Sequence, residues 1–148
     1  MASIGVSEPR VANLAGYGEL IRSGLTDTSL DVVEHAFTPG RNALFLLIAG
    51  SYAATVQASS ISIGLLDEKY RLFPDQSKRF IEQCEEFLSC CLGRGISVKA
   101  PLMSMSKRDV IEIARVKGLR GLTYSCHLGT EKPCGTCIAC LEFEGMEV

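Results

Sequence analysis

Two short β-branched runs set between helices limit this chain more than any other feature. Ile61-Ser62-Ile63-Gly64-Leu65-Leu66 and Ile96-Ser97-Val98-Lys99-Ala100-Pro101-Leu102 read as strands, the first as one buried on both faces. Thr38-Pro39-Gly40-Arg41-Asn42 precedes the first strand as a turn and runs into a long Ala-rich helix reaching Ala58. That helix is apolar nearly all round, so burial is expected. Between the strands, Phe80, Ile81, Cys84, Phe87, Leu88 and Cys91 recur at helical spacing until Gly93 stops the run. After the second strand, Ser106 with Asp109 three residues later caps a helix through about Lys117, closed by Gly118. Residues 11 to 36 read as a loose lead-in with one helical turn around Glu19 to Arg22.

Helix, strand, helix, strand, helix is the order of an open α/β sheet with parallel strands. Two strands do not complete such a sheet, because parallel strands are nearly always sandwiched between helices in larger ones. The chain is therefore expected to be the carboxyl-terminal half of a doubly wound domain whose other half lies elsewhere. At 148 residues there is room for one core.

Charge narrows the partners. Seventeen acids against fifteen bases give a net charge of -2, which argues against nucleic-acid binding by bulk charge. The surplus is local: Arg94, Lys99, Lys107, Arg108, Arg115, Lys117 and Arg120 face only Asp109 and Glu112, which favours a phosphate-bearing ligand or an acidic partner surface. Met1 to Arg10 has no signal-peptide pattern, and the longest strongly apolar stretch, Ala43 to Ala49, is too short to span a bilayer. A cytoplasmic protein without membrane contact is expected.

The strongest chemical signal is Cys126, followed after seven residues by Cys134-Gly135-Thr136-Cys137-Ile138-Ala139-Cys140. Two-residue spacers let a tight turn aim successive sulfurs inward, and the longer spacer supplies a fourth from a loop, as tetrahedral structural zinc requires. An iron–sulfur cluster is the rival ligand, and a reduced, unligated set of thiols the third reading. Zinc would fasten the segment 121–148. His127, beside a ligand, is expected to point away. Cys84, Cys90 and Cys91 fall on a helix and read as core or surface thiols.

With these pieces assembled, the chain resembles the carboxyl-terminal part of the 7-cyano-7-deazaguanine synthases, the QueC family of PP-loop ATP pyrophosphatases (adenine nucleotide alpha hydrolase-like). The resemblance runs from about residue 14 to residue 140. It is carried by Pro39-Gly40-Arg41-Asn42, Gly64 at a strand end, Pro74-Asp75, Pro101-Leu102-Met103 with Lys107, and the four cysteines. It implies a ligase acting on the carboxylate of 7-carboxy-7-deazaguanine: ATP activates the carboxylate, ammonia forms the amide, and further ATP-driven dehydration gives the nitrile. It also implies structural zinc on Cys126, Cys134, Cys137 and Cys140, ATP with Mg2+ in the completed enzyme, and a homodimer.

Carried over by position, Arg41 and Asn42 at a helix start would hold a phosphate or carboxylate, Lys107 a pyrophosphate, and Asp75 the amino and ring N–H groups of a guanine-like base. Each has a structural alternative: Arg41 as an ion-pair partner, Asp75 as a helix cap, Lys107 as a solvated lysine. The sequence departs from the family in three places. No Ser-Gly-Gly-x-Asp-Ser phosphate loop occurs; Leu14-Ala15-Gly16-Tyr17-Gly18 lacks its paired glycines and acid; and Asp67, Lys69, Phe73 and Gln76 replace favoured residues around the substrate loop. The expectation is a subunit or fragment of an enzyme, inactive alone and completed by a separate ATP-binding chain or a missing amino-terminal segment. Alternatives are a ligase joining the deazaguanine carboxylate to another amine such as a protein, a non-catalytic zinc-stabilised binding module, and a sulfur-inserting tRNA enzyme of the same superfamily.

Overall fold

The computed structural model describes residues 9–119 and 123–142. Arg120 of the basic stretch, the first eight residues and both ends of the segment 121–148 lie outside the described residues. Helix α1 (Ala15–Leu20) opens the chain, followed by turns and then α2 (Arg41–Thr55). Strand β1 (Ser60–Ser62), two 3-10 turns (Glu68–Tyr70 and Pro74–Gln76), α3 (Lys78–Leu92) and strand β2 (Ser97–Lys99) follow. Helix α4 (Lys107–Val116) and the short α5 (Ile138–Leu141) complete the order.

The strands pair in parallel, Ile61 opposite Val98, and α3 is the crossover between them. Local chemistry explains the helix limits. Ser77 Oγ accepts the Phe80 N–H at 3.1 Å, and Ser106 and Asp109 form the reciprocal box expected from the sequence. Gly93 and Gly118 follow their helices with φ of 64° and 66°, a backbone that other residues adopt only at a cost.

One core joins Leu46 of α2, Ile81, Cys84 and Leu88 of α3, Val98 of β2 and Leu65 beyond β1. A second, smaller one gathers Val32, Cys126, Cys137 and Ala139. Cys84 lies in the first core, and Cys90 and Cys91 are exposed.

Two expectations are corrected here. Each strand spans only three residues, and β1 has an exposed, half-buried, exposed pattern instead of burial on both faces. A two-stranded ribbon has no second helical layer to cover Ser60 and Ser62. Helix α2 is likewise not buried all round: Asn42, Leu46, Gly50 and Ala53 form its inner stripe, and Phe45 and Tyr52 remain about half exposed. Its main packing partners are α3 and β1. Among the described residues, no helix is long and apolar enough to cross a membrane.

The lead-in is better ordered than its composition suggests. Ser23 Oγ and Thr38 Oγ1 share a buried hydrogen bond of 2.7 Å, and the Tyr17 hydroxyl donates to the Pro39 carbonyl. Asp27 accepts from the Ser29 hydroxyl at 2.6 Å, the Ser29 N–H at 2.9 Å and Arg22 Nε at 2.7 Å. Those donors, the Ser29 hydroxyl foremost, hold its carboxyl down from 3.8 to about 2. A depressed carboxyl stabilises the fold above its unfolded pKa and loses that contribution as pH falls through its folded pKa. Ser29→Ala is therefore expected to lower the melting temperature at pH 7, by a deficit that shrinks as pH falls toward about 2. A deficit that persists undiminished at pH 2 in thermal scans counts against this origin.

Candidate functional site

The Cys134-Gly135-Thr136-Cys137 turn is a knuckle. Gly135 takes φ 76°, which turns successive amides toward one sulfur: Cys134 Sγ accepts the N–H groups of Thr136 at 3.4 Å and Cys137 at 3.3 Å. Cys126 Sγ accepts the Cys134 N–H at 3.4 Å. Helix α5 then brings Cys140 Sγ to 3.9 Å from Cys134 Sγ, and all four sulfurs lie within 4.8 Å of one another. Ideal tetrahedral thiolates at about 2.3 Å from a zinc ion sit about 3.8 Å apart. The donor set therefore fits a tetrahedral metal ion.

Electrostatics agree with that fit. The Cys134 N–H leads a set of donors that lowers Cys126 to about 5, and the Thr136 hydroxyl and N–H, with the Cys137 N–H, lower Cys134. Cys140 feels the lowering pull of the Gly135 N–H, yet burial and the neighbouring sulfurs push it up to about 12. Local donors favour the thiolate at Cys126 and Cys134, and burial beside other sulfurs opposes it at Cys140. A divalent cation removes that conflict, because it replaces sulfur–sulfur repulsion with attraction.

Of the other predicted residues, Arg41, Asn42 and Asp75 gather around the start of α2, and Lys107 and Gly64 do not. Arg41 is its first residue and half-buried, and buried Asn42 donates from Nδ2 to the Asp75 carbonyl at 3.2 Å. That bond ties α2 to the Pro74–Gln76 turn. Asp75 Oδ1 is shut off from solvent without a hydrogen-bond partner. Lys107, at the start of α4, reaches Glu142 at 3.1 Å and so joins that helix to the end of the cysteine segment. Gly64 stands apart. It is exposed, and a Cβ there would meet nothing nearer than Leu102 Cδ1 at 3.9 Å, so no close backbone approach requires glycine.

Two hollows share Leu72 and Phe73. The larger is an open cleft of about 670 Å3 bordered by Arg71, Asp75, Arg79 and Phe80. The smaller, about 140 Å3, lies between Arg41, Gln76, His127, Ala139 and Glu142. His127 is thus the residue that sequence reasoning missed. Expected to point away from the cluster, and not among the group of four sulfurs, it lines the small cavity with Nδ1 buried and unpartnered. Arg94, counted among bases free for a ligand, instead donates to the Ala54 carbonyl at 3.5 Å in the last turn of α2 and to the Ala58 carbonyl at 3.1 Å just past it.

Comparison with known proteins bears on this arrangement. The family described as Queuosine biosynthesis protein QueC matches residues 1–144. The chain is 35% identical over 116 residues to a 7-cyano-7-deazaguanine synthase of Methanobrevibacter smithii, an alignment covering 78% of this chain and 51% of that protein. It is 34% identical over 154 aligned positions to the Oceanobacillus iheyensis protein of the same name, covering 96% and 70%. The Picrophilus torridus protein of that name is 36% identical over 135 positions, covering 80% and 56%. The chain thus spans about half the length of the first of these relatives.

Proposed function

The chain belongs to the QueC family of queuosine biosynthesis proteins, and from that premise we propose that it is the substrate-binding and metal-bearing part of an ATP-dependent carbon–nitrogen ligase. Its substrate is the carboxylate of 7-carboxy-7-deazaguanine, converted through the amide to the nitrile of 7-cyano-7-deazaguanine. Zinc on Cys126, Cys134, Cys137 and Cys140 is structural: four sulfurs leave no open coordination position for a reacting group. ATP with Mg2+ supplies the activation of the carboxylate. Its phosphate loop comes from a separate chain or from an amino-terminal segment outside this sequence, which would also extend the two-stranded sheet beyond β1 and β2.

The observation that supports this reading is the match over residues 1–144 together with the meeting of Arg41, Asn42 and Asp75 at one helix start. In this scheme Arg41 holds the carboxylate by charge-assisted hydrogen bonds. Asn42 acts on the turn, not on substrate, because its amide is spent on the Asp75 carbonyl. The open cleft, flanked by Arg71 and Arg79, suits the more highly charged nucleotide.

The test is a coupled assay. The chain, purified with whatever co-purifies, is given 7-carboxy-7-deazaguanine, ATP and ammonium, and products are weighed by mass spectrometry. Nitrile is expected only when a polypeptide carrying Ser-Gly-Gly-x-Asp-Ser is present, and Arg41→Ala should reduce kcat/KM by about 100-fold. Product formation without ammonium, on a protein amine, would move the reading to the amine-transfer alternative. No ATP turnover in any combination would leave a binding module.

A further inference from the structure

We propose that the small cavity beside the cysteine cluster seats a planar heteroaromatic carboxylate, and that His127 is a ligand-positioning residue within it. The ligand class rests on the functional reading above. The residue and the place rest on the cavity itself.

The His127 ring lines the cavity, and its Nδ1 has neither solvent nor a hydrogen-bond partner. Burying an imidazole nitrogen in that state is unfavourable, and such groups in folded proteins are nearly always satisfied. A ligand edge offering a complementary group removes the penalty on binding. Arg41 enters from the start of α2, and no ion pair among the described residues uses its guanidinium. Glu142 also borders the space, but it is paired with Lys107 at 3.1 Å, so Arg41 sets the sign of the charge the cavity accepts.

Gln76 is oriented by its own backbone. Its Oε1 accepts the N–H groups of Leu72 at 2.8 Å and Phe73 at 3.0 Å, which leaves its amino group as the donor end. Phe73, braced by Phe37 with ring centroids 5.1 Å apart, supplies a flat apolar wall. A cation, an amide donor and a directional imidazole between apolar walls recognise a flat ring bearing an anionic group. At about 140 Å3 the cavity is well below the 300–1,000 Å3 typical of drug-sized ligands, which excludes a whole nucleoside triphosphate.

The cluster positions this wall. His127 directly follows Cys126, and Ala139 lies between Cys137 and Cys140. Closing four thiolates around one ion therefore sets the place of the imidazole.

The test is calorimetric titration of the zinc-loaded chain with 7-carboxy-7-deazaguanine and with 7-deazaguanine, which lacks the carboxylate. Loss of the carboxylate is expected to weaken binding by about tenfold or more, and Arg41→Ala should impose the same loss on the acid while leaving the uncarboxylated ring unaffected. His127→Ala should weaken both ligands alike by about tenfold, with zinc content and circular dichroism unchanged. Should that variant lose zinc, His127→Asn keeps a planar hydrogen-bonding group, and recovery of both zinc and affinity supports the proposal. Wild-type affinity of His127→Ala for both ligands overturns it, as does equal harm to both ligands from Arg41→Ala, or no binding of either ligand. Binding in the expected pattern without nitrile formation overturns only the ligase reading. Nitrile formation by His127→Ala at an unchanged KM overturns only the cavity.

Discussion

Cys137→Ser is expected to strip the metal from the chain and to open residues 123–142 to protease. Cys137 is 1% exposed and lies at the middle of the smaller core, against Cys126, Val32 and Ala139. Serine there removes one of four soft ligands and buries a hydroxyl that finds no comparable partner, so two penalties fall on one position. The segment has little else to hold it. Helix α5 is four residues long, far below the length at which a helix stands alone. In small zinc-finger peptides structural zinc supplies about 10–16 kcal/mol of apparent binding energy, and all of it is folding energy. The measurement is metal content by elemental analysis beside cleavage by a glutamate-specific protease at exposed Glu131, which lies between the first and second ligands along the chain. Wild-type protein should retain its ion and resist; the variant should lose it and be cut many times faster. Equal metal content and equal cleavage would remove the cluster's structural role.

What the sequence makes legible follows from how local each cause is. The box of Ser106 and Asp109 and the stops at Gly93 and Gly118 depend on neighbours within a few residues, so they can be read directly and are found in place. Convergence of the four sulfurs is nearly as local, because the spacers themselves carry the turn. Strand length is different. Ile63 to Leu66 has strand composition, yet a ladder extends only as far as a partner does, and Ser62 opposite Lys99 is its last pair. Helix α2 shows the same limit: apolar composition says that a face can be buried, whereas packing decides which one. His127 leaves no trace at all. A single histidine after a ligand has no periodicity, and its neighbour Arg41 in the cavity is 86 positions away. Arg94 and Lys107 were readable as charges, but their partners at Ala58 and Glu142 were not.

The larger core yields the second strong effect, and it is one that depends on a pair. Leu88 is 1% exposed, and Leu88→Ala should cost about 3–5 kcal/mol, the loss of apolar transfer plus the cavity left behind. Across from it, α2 presents Gly50, where an added Cβ would lie 3.0 Å from Leu88 Cδ2 and 3.4 Å from Leu88 Cδ1. Gly50→Ala alone therefore sets about 1 kcal/mol of gained helix propensity against overpacking of about 1–3 kcal/mol, with a net loss expected. Once Leu88 is truncated the obstacle is gone, and the new methyl occupies part of the space. In the Leu88→Ala background Gly50→Ala should then stabilise, by about 0.5–1 kcal/mol, which reverses its sign. Urea unfolding of the wild type, both single variants and the double variant closes the cycle. A coupling energy of about 1 kcal/mol or more is expected, since the two side chains compete for one volume. Additivity within about 0.5 kcal/mol would mean that α2 and α3 do not pack through Gly50 and Leu88 in solution, and the placement of Arg41 and Asn42 at the end of the same helix would lose its footing with them.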